Sequence, residues 1–138
     1  METFPFTLVS PEKILLEKEV SMVVIPGLKG DIGVLPNHAP LLTLLRPGVV
    51  RVYDGTEVFM QIFVDGGFSE ITPEKCVALV TEGTLLEFLN KSTLEIEIKN
   101  LLEDIEISKT REEREQVGEN LDIARAKLME ILTHEKMQ

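Results

Sequence analysis

The chain has 138 residues, with 14 Lys and Arg against 24 Asp and Glu, giving a net charge of -10 and a pI near 4.7. That length fits one ordinary domain, or a compact domain with a small appendage, and excludes a large multidomain enzyme. The 43% hydrophobic content predicts a real core rather than an acidic disordered chain. The acidic balance argues against binding of nucleic-acid phosphates, which depends on cationic side chains displacing counterions.

A single cysteine, Cys76, rules out an internal disulfide and a thiolate-built metal site, so a reducing compartment is expected. The N-terminus lacks the basic segment and long apolar stretch of an export signal. The apolar runs at 39–45 and 58–64 fall far short of the ~20 residues that cross a bilayer, so membrane association is expected only through a protein partner.

Composition changes near residue 91. Residues 1–90 hold all seven prolines and eight of the nine glycines, between short apolar runs, which is the punctuation of an all-β domain. Residues 13–25 read as one or two strands ending at Pro26-Gly27, and 49–53 as a strand rich in β-branched residues. Asp54-Gly55 supplies a two-residue hairpin turn before the strand at 58–65, whose residues are apolar on nearly both faces, as expected between two layers. Gly66-Gly67 breaks this strand, 68–72 resumes, Pro73-Glu74-Lys75 turns and 76–81 closes another hairpin. Turns about every ten residues predict a flattened β-sandwich or barrel of roughly eight to ten strands.

Residues 91–138 contain no proline, one glycine (Gly118) and 20 of the 38 charged residues. Leu94, Ile98, Leu101, Leu102 and Ile105 share one helical stripe, although the alternation Leu94, Ile96, Ile98 also suits a strand. Ser92 with Glu95 forms a capping box at the start, and Thr110 with Glu113 a second one. Val117, Leu121, Ala124, Leu128 and Ile131 continue at coiled-coil-like spacing. The expected architecture is a β-sandwich at 1–90 followed by an antiparallel helical hairpin at 91–138, with the joint near 108–110.

Reactive chemistry is sparse. Gly27, Gly30 and Gly33 are three apart, but neither a Gly-Lys-Ser/Thr sequence nor a helix follows, so the glycines read as turn formers rather than a phosphate loop. His38 and His134 belong to no metal-spaced pair. An acid–base pair of Asp31 and His38 competes with a structural or interfacial His38 flanked by Pro36 and Pro40. Cys76, opening a strand, reads as a small core hydrophobe. No catalytic residue, metal or cofactor is expected.

The segment at 24–52 contains Pro-Gly-x-x-Gly-x-x-Gly-x-x-Pro-x-His-Ala-Pro-Leu-Leu-Thr from Pro26 to Thr43, followed by Pro47-Gly48. It closely resembles the signature of the epsilon subunit of bacterial and plastid F-type ATP synthases, whose mitochondrial counterpart is called delta. Residues 6–10 resemble the family's opening strand, and 63–70 its Gly-Gly segment. The resemblance is strong over 1–82 and covers the rest in outline.

The resemblance implies a noncatalytic central-stalk subunit. Its β-sandwich would clamp the gamma subunit and rest on the polar loops of the c-ring, passing proton-driven rotation to the catalytic head. It also implies a peripheral position on the cytoplasmic face of the inner membrane, or on a plastid thylakoid membrane, without direct insertion. Asp31 falls at the acidic position associated with c-ring contact and His38 in the adjoining loop, although both also fit a solvated loop.

The C-terminal hairpin resembles a regulatory element that meets the alpha and beta subunits through basic side chains. Here 91–138 carries eight Lys and Arg against twelve Asp and Glu, a net of -4, leaving Arg111 with Arg114, and Arg125 with Lys127, as the candidate contacts. Some relatives bind ATP through Leu/Ile-Asp-x-x-Arg-Ala in the first helix, where this chain has Leu94-Glu-Ile-Glu-Ile-Lys99. A literal match, Leu121-Asp-Ile-Ala-Arg-Ala126, lies in the second helix. It makes Asp122 and Arg125 nucleotide candidates, beside the simpler reading that they are favourable helix chemistry at i,i+3 spacing. The alternative to a rotor subunit is a freestanding β-sandwich binding module whose helices serve dimerisation.

Overall fold

A computed structural model describes residues 1–136. Ten strands make one continuous sheet: β1 (Phe4–Val9), β2 (Ile14–Val20), β3 (Met22–Gly27), β4 (Gly30–Val34), β5 (Leu41–Leu45), β6 (Gly48–Asp54), β7 (Glu57–Val64), β8 (Gly67–Ile71), β9 (Cys76–Val80) and β10 (Gly83–Leu85). Two helices follow, α1 (Lys91–Ile107) and α2 (Arg111–Lys136), with a short 3-10 turn at Leu86–Phe88. The expected fold class, a β-sandwich of eight to ten strands followed by a helical hairpin, is the one observed.

The hydrogen-bonded order is β10-β7-β6-β3-β5-β8-β9-β1-β2, with β4 attached to β3. Only β1 and β9 pair in parallel; the other pairs are antiparallel. β3 links the two halves of the sheet. Its first residues pair with β6, and its last, Gly27, reaches Leu45 of β5. The sheet therefore folds over a core that includes Phe6, Leu8, Val23, Ile25, Val50 and Ile71, all buried. Each comes from an alternate strand position, the period-two pattern by which a sheet turns one face inward.

The segment read as one or two strands is two, β2 and β3, separated by Ser21. Ser21 is buried, and its hydroxyl donates to the carbonyls of Tyr53 and Gly55 at 3.0 and 2.9 Å, which ties the break to the β6–β7 hairpin. That hairpin turns one residue later than expected. Asp54 pairs with Glu57, so the two-residue loop is Gly55-Thr56, and of Asp54 and Gly55 only the glycine has positive φ. Asp54 stays in the strand, where it meets Lys18 of β2 at 3.6 Å. In β7, Ile62, Phe63 and Val64 are buried, whereas Val58 and Phe59 are exposed because the hairpin tip runs beyond the core.

Gly67 is required by geometry. Its φ is +140°, and an added Cβ would lie 2.0 Å from the carbonyl oxygen of Leu79. Only a residue without a side chain lets β8 approach β9 there.

The chain divides into two compact units, Met1–Leu86 and a second from Glu87 onward. The ambiguous start of the second unit is helix, not strand. The cap of α1 is Asn90 rather than Ser92: its side chain accepts a hydrogen bond from the Thr93 amide at 2.9 Å, so the helix begins two residues before the expected capping box. At α2 the expected Thr110 cap forms, with its returning arm shifted by one residue from the cap amide to that of Lys109. Thr110 Oγ1 accepts from the Glu113 amide at 3.1 Å, and the Glu113 carboxylate reaches back to the Lys109 amide at 3.0 Å. Leu94, Leu121 and Ala124 are the buried apolar residues of these helices. Among the described residues, no helix is long and apolar enough to cross a membrane.

Candidate partner interface

Asp31 sits on β4, two residues past the tight turn at Leu28-Lys29. The β3–β4 hairpin closes through the pair Gly27 and Gly30, so the three spaced glycines belong to a β-hairpin and no helix follows them. Asp31 Oδ1 accepts a 2.6 Å hydrogen bond from Arg46 Nη2, and Arg46 Nη1 donates to the Gly27 carbonyl at 2.6 Å. Beside Asp31 lies a shallow cup of about 490 Å³ whose apolar lining includes Leu28, Ile32, Leu41, Leu42 and Leu44.

His38 occupies the loop between β4 and β5. Its Nδ1 lies 2.6 Å from the Ala39 carbonyl. A carbonyl only accepts, so Nδ1 carries the proton in this contact. Asn37, the one described non-glycine residue with positive φ, anchors the loop: its amide N–H donates to Pro73 O at 3.2 Å and its side chain to Glu2 at 3.3 Å. Asp31 is thus paired with Arg46, and His38 is held by its own loop; the two do not form an acid–base pair.

A second feature needs the strand register to be seen. On the outer face of the sheet, Leu44 of β5 is opposite Phe68 of β8, Phe68 is opposite Leu79 of β9, Leu79 is opposite Val9 of β1, and Val9 is opposite Ile14 of β2. These residues form an apolar row across five strands. Leu44 is 61% exposed, Phe68 43% and Leu79 39%. A groove of about 520 Å³ lies along the row, lined by residues that include Val9, Pro11, Phe68 and Leu79. Outward positions of a solvated sheet are normally polar, so a continuous apolar row makes this face the candidate contact surface of the sandwich. The sequence signal was the dense apolar run at 39–45, in which Thr43 is the single hydroxyl and Leu42 and Leu44 share the opposite face.

The candidates in the second unit are dispersed along the helices. Arg111 Nε pairs with Glu115 at 3.0 Å. Arg114, Asp122 and Arg125 are exposed and Lys127 is partly buried. Leu121 and Ala124, from the same six-residue match, are buried packing residues.

Ser69 donates to the Val77 carbonyl at 2.9 Å, and Cys76 is fully buried beside it. Burial pushes the Cys76 thiol up from 9.0 to about 11, opposed in part by its hydrogen bond with Ser69, so it is a protonated core residue at neutral pH. Among the described residues, every buried side-chain nitrogen or oxygen has a hydrogen-bond partner, and no group of three His, Cys, Asp or Glu could hold a metal.

A β-sandwich with an apolar outer row and a separate helical hairpin defines a protein that presents surfaces. The family model "ATP synthase, Delta/Epsilon chain, beta-sandwich domain" matches residues 3–84. The ATP synthase epsilon chain of Rhodospirillum centenum is 45% identical over 128 residues, covering 89% of this chain and 88% of that one. The epsilon chain of Rhodospirillum rubrum is 39% identical over 127 residues, covering 92% and 95%. The chain belongs to the ATP synthase delta/epsilon chain family.

Solved structures agree on the fold. A chain in the cryo-EM structure of the Euglena gracilis mitochondrial ATP synthase, OSCP/F1/c-ring, superposes with a TM-score of 0.78 at 23% identity, covering 90% of this chain and 78% of that one. A chain from the Tetrahymena thermophila mitochondrial ATP synthase central stalk and c-ring gives 0.62 at 15% identity, covering 91% and 94%.

Proposed function

We propose that this chain is a noncatalytic central-stalk subunit of a proton-translocating F-type ATP synthase. The sandwich binds the gamma subunit and rests on the polar loops of the c-ring, so that ring rotation reaches the catalytic head. The observation that carries this reading is the exposed apolar row from Leu44 to Ile14, in a chain whose family is that of ATP synthase delta and epsilon chains. A torque joint needs a stiff body with broad contacts and no reactive group. The apolar row suits a broad contact with gamma, and the exposed Asp31 carboxylate suits a polar loop.

On this reading, the protein is peripheral to the membrane, at the cytoplasmic face of an inner membrane or at a thylakoid. The test is reconstitution. Adding the chain to an ATP synthase depleted of this subunit should restore proton-driven ATP synthesis, and a failure to associate would remove the reading.

The helical hairpin is the regulatory part in this proposal, and its brake is weak. Residues 91–138 carry a net charge of -4, and Arg111 is already paired with Glu115. That leaves little basic surface to hold an acidic segment of the catalytic head. Deleting 91–138 should therefore change ATP hydrolysis only slightly; a large activation contradicts the weak brake. Nucleotide binding through Asp122 and Arg125 is tested by calorimetry with Mg-ATP, where absence of heat at millimolar ligand removes those two residues as a site.

A further inference from the structure

We propose that Arg46 is the positioning residue for Asp31, setting the direction in which the carboxylate meets the c-ring. The inference rests on the reading above that the Asp31 end of the sandwich is the ring-facing foot.

Arg46 lies just past β5 and grips the β3–β4 hairpin at three points. Its amide donates to the Pro26 carbonyl at 2.9 Å, Nη1 to the Gly27 carbonyl at 2.6 Å and Nη2 to Asp31 Oδ1 at 2.6 Å. The guanidinium is planar, so two donors engaged at once fix the plane in which the carboxylate is held. The receiving hairpin is itself unyielding. A Cβ on Gly27 would lie 2.7 Å from the Gly30 carbonyl oxygen and 2.8 Å from the Ile32 side chain, so this close approach requires glycine at 27. Lysine has one nitrogen and cannot hold both acceptors in this fork.

Two consequences follow for the partner. Arg46 Nη2 engages Oδ1 while the Asp31 side chain stays about half exposed, at 48%, beside an apolar cup whose lining includes Leu28, Ile32 and Leu42. The pair as a unit is close to neutral. It therefore recognises a hydrogen-bond donor placed next to an apolar side chain, by direction more than by net charge. Such a contact has shallow salt dependence, whereas a bare carboxylate has a steeper one.

The test is a double-mutant cycle on the full chain in complex with gamma, titrated with purified c-ring at low and at physiological salt. Arg46→Gln should weaken ring binding by about fivefold and steepen its salt dependence, as expected for a partly exposed charge-assisted pair. Arg46→Lys should fall between wild type and Arg46→Gln. In an Asp31→Asn background, Arg46→Gln should produce no further loss. Equal weakening in both backgrounds would mean that Arg46 only braces the hairpin, and no weakening with Asp31 present would mean that it does not act; either result overturns the inference. If the wild-type complex itself ignores the ring, the parent reading fails and takes this one with it. A ring that binds wild type and Arg46→Gln alike sinks the positioning role alone.

Discussion

The two units of this chain are held together in different ways. In the sandwich, neighbours in space are distant in sequence: β1 pairs with β9, and β3 reaches both β5 and β6. Its core is continuous, and its strands approach each other at residues such as Gly67, where a side chain does not fit. The helical unit is built from local bonds, two side-chain caps and a narrow set of buried residues, Leu94, Leu121 and Ala124. If the proposed function holds, the difference would let the first unit transmit force by being rigid and the second be altered at low cost.

Glycine substitutions give the largest contrast. Gly67→Ala places a methyl group against the Leu79 carbonyl in a backbone conformation that L-residues avoid, and should destabilise the sandwich by more than ~3 kcal/mol in chemical denaturation. An unchanged midpoint would break the claim that this approach is rigid.

A smaller effect comes from alkali. Between pH 9.0 and about 11 the folded Cys76 thiol retains a proton that the unfolded thiol releases, so this contribution to stability declines as pH rises. The loss should amount to about 2 to 3 kcal/mol by the upper end of that window. It should be missing from Cys76→Ala, as read by the difference between the two unfolding curves at pH 8 and at about pH 11.

The smallest effect has the opposite sign. Gly118 lies inside α2 with nothing within 4 Å of an added Cβ. Gly118→Ala should therefore raise helix stability by roughly 0.5 to 1 kcal/mol, measured by the thermal loss of helical circular dichroism. A destabilised Gly118→Ala chain would show that α2 is as tightly constrained as the sandwich.

The sequence was most informative where structure is local. Gly66-Gly67, Pro73-Glu74-Lys75 and the stripe around Leu121 each announce a turn or a helix within a few residues, and the architecture follows from them. Short-range competition caused the small errors: Asn90 took the capping role from Ser92, and Asp54 remained in its strand rather than entering the turn. The interface was far less legible. The apolar row exists only once β5, β8, β9, β1 and β2 are placed side by side, an order that no spacing in the chain announces. Arg46 and Asp31 are 15 residues apart and meet because Gly27 of β3 pairs with Leu45. Asp31 was visible through the Pro26–Thr43 signature, but the arginine that holds it was not.

The most direct test is the affinity of the full chain for purified gamma, measured by calorimetry for wild type and for the double substitution Leu44→Asp with Phe68→Asp. Both side chains point into solvent, so the variant should keep its fold with little change in stability. The account predicts a one-to-one complex with wild type and a loss of at least about 2 kcal/mol in binding for the variant. Absence of a wild-type complex, or equal affinity for both chains, would contradict it.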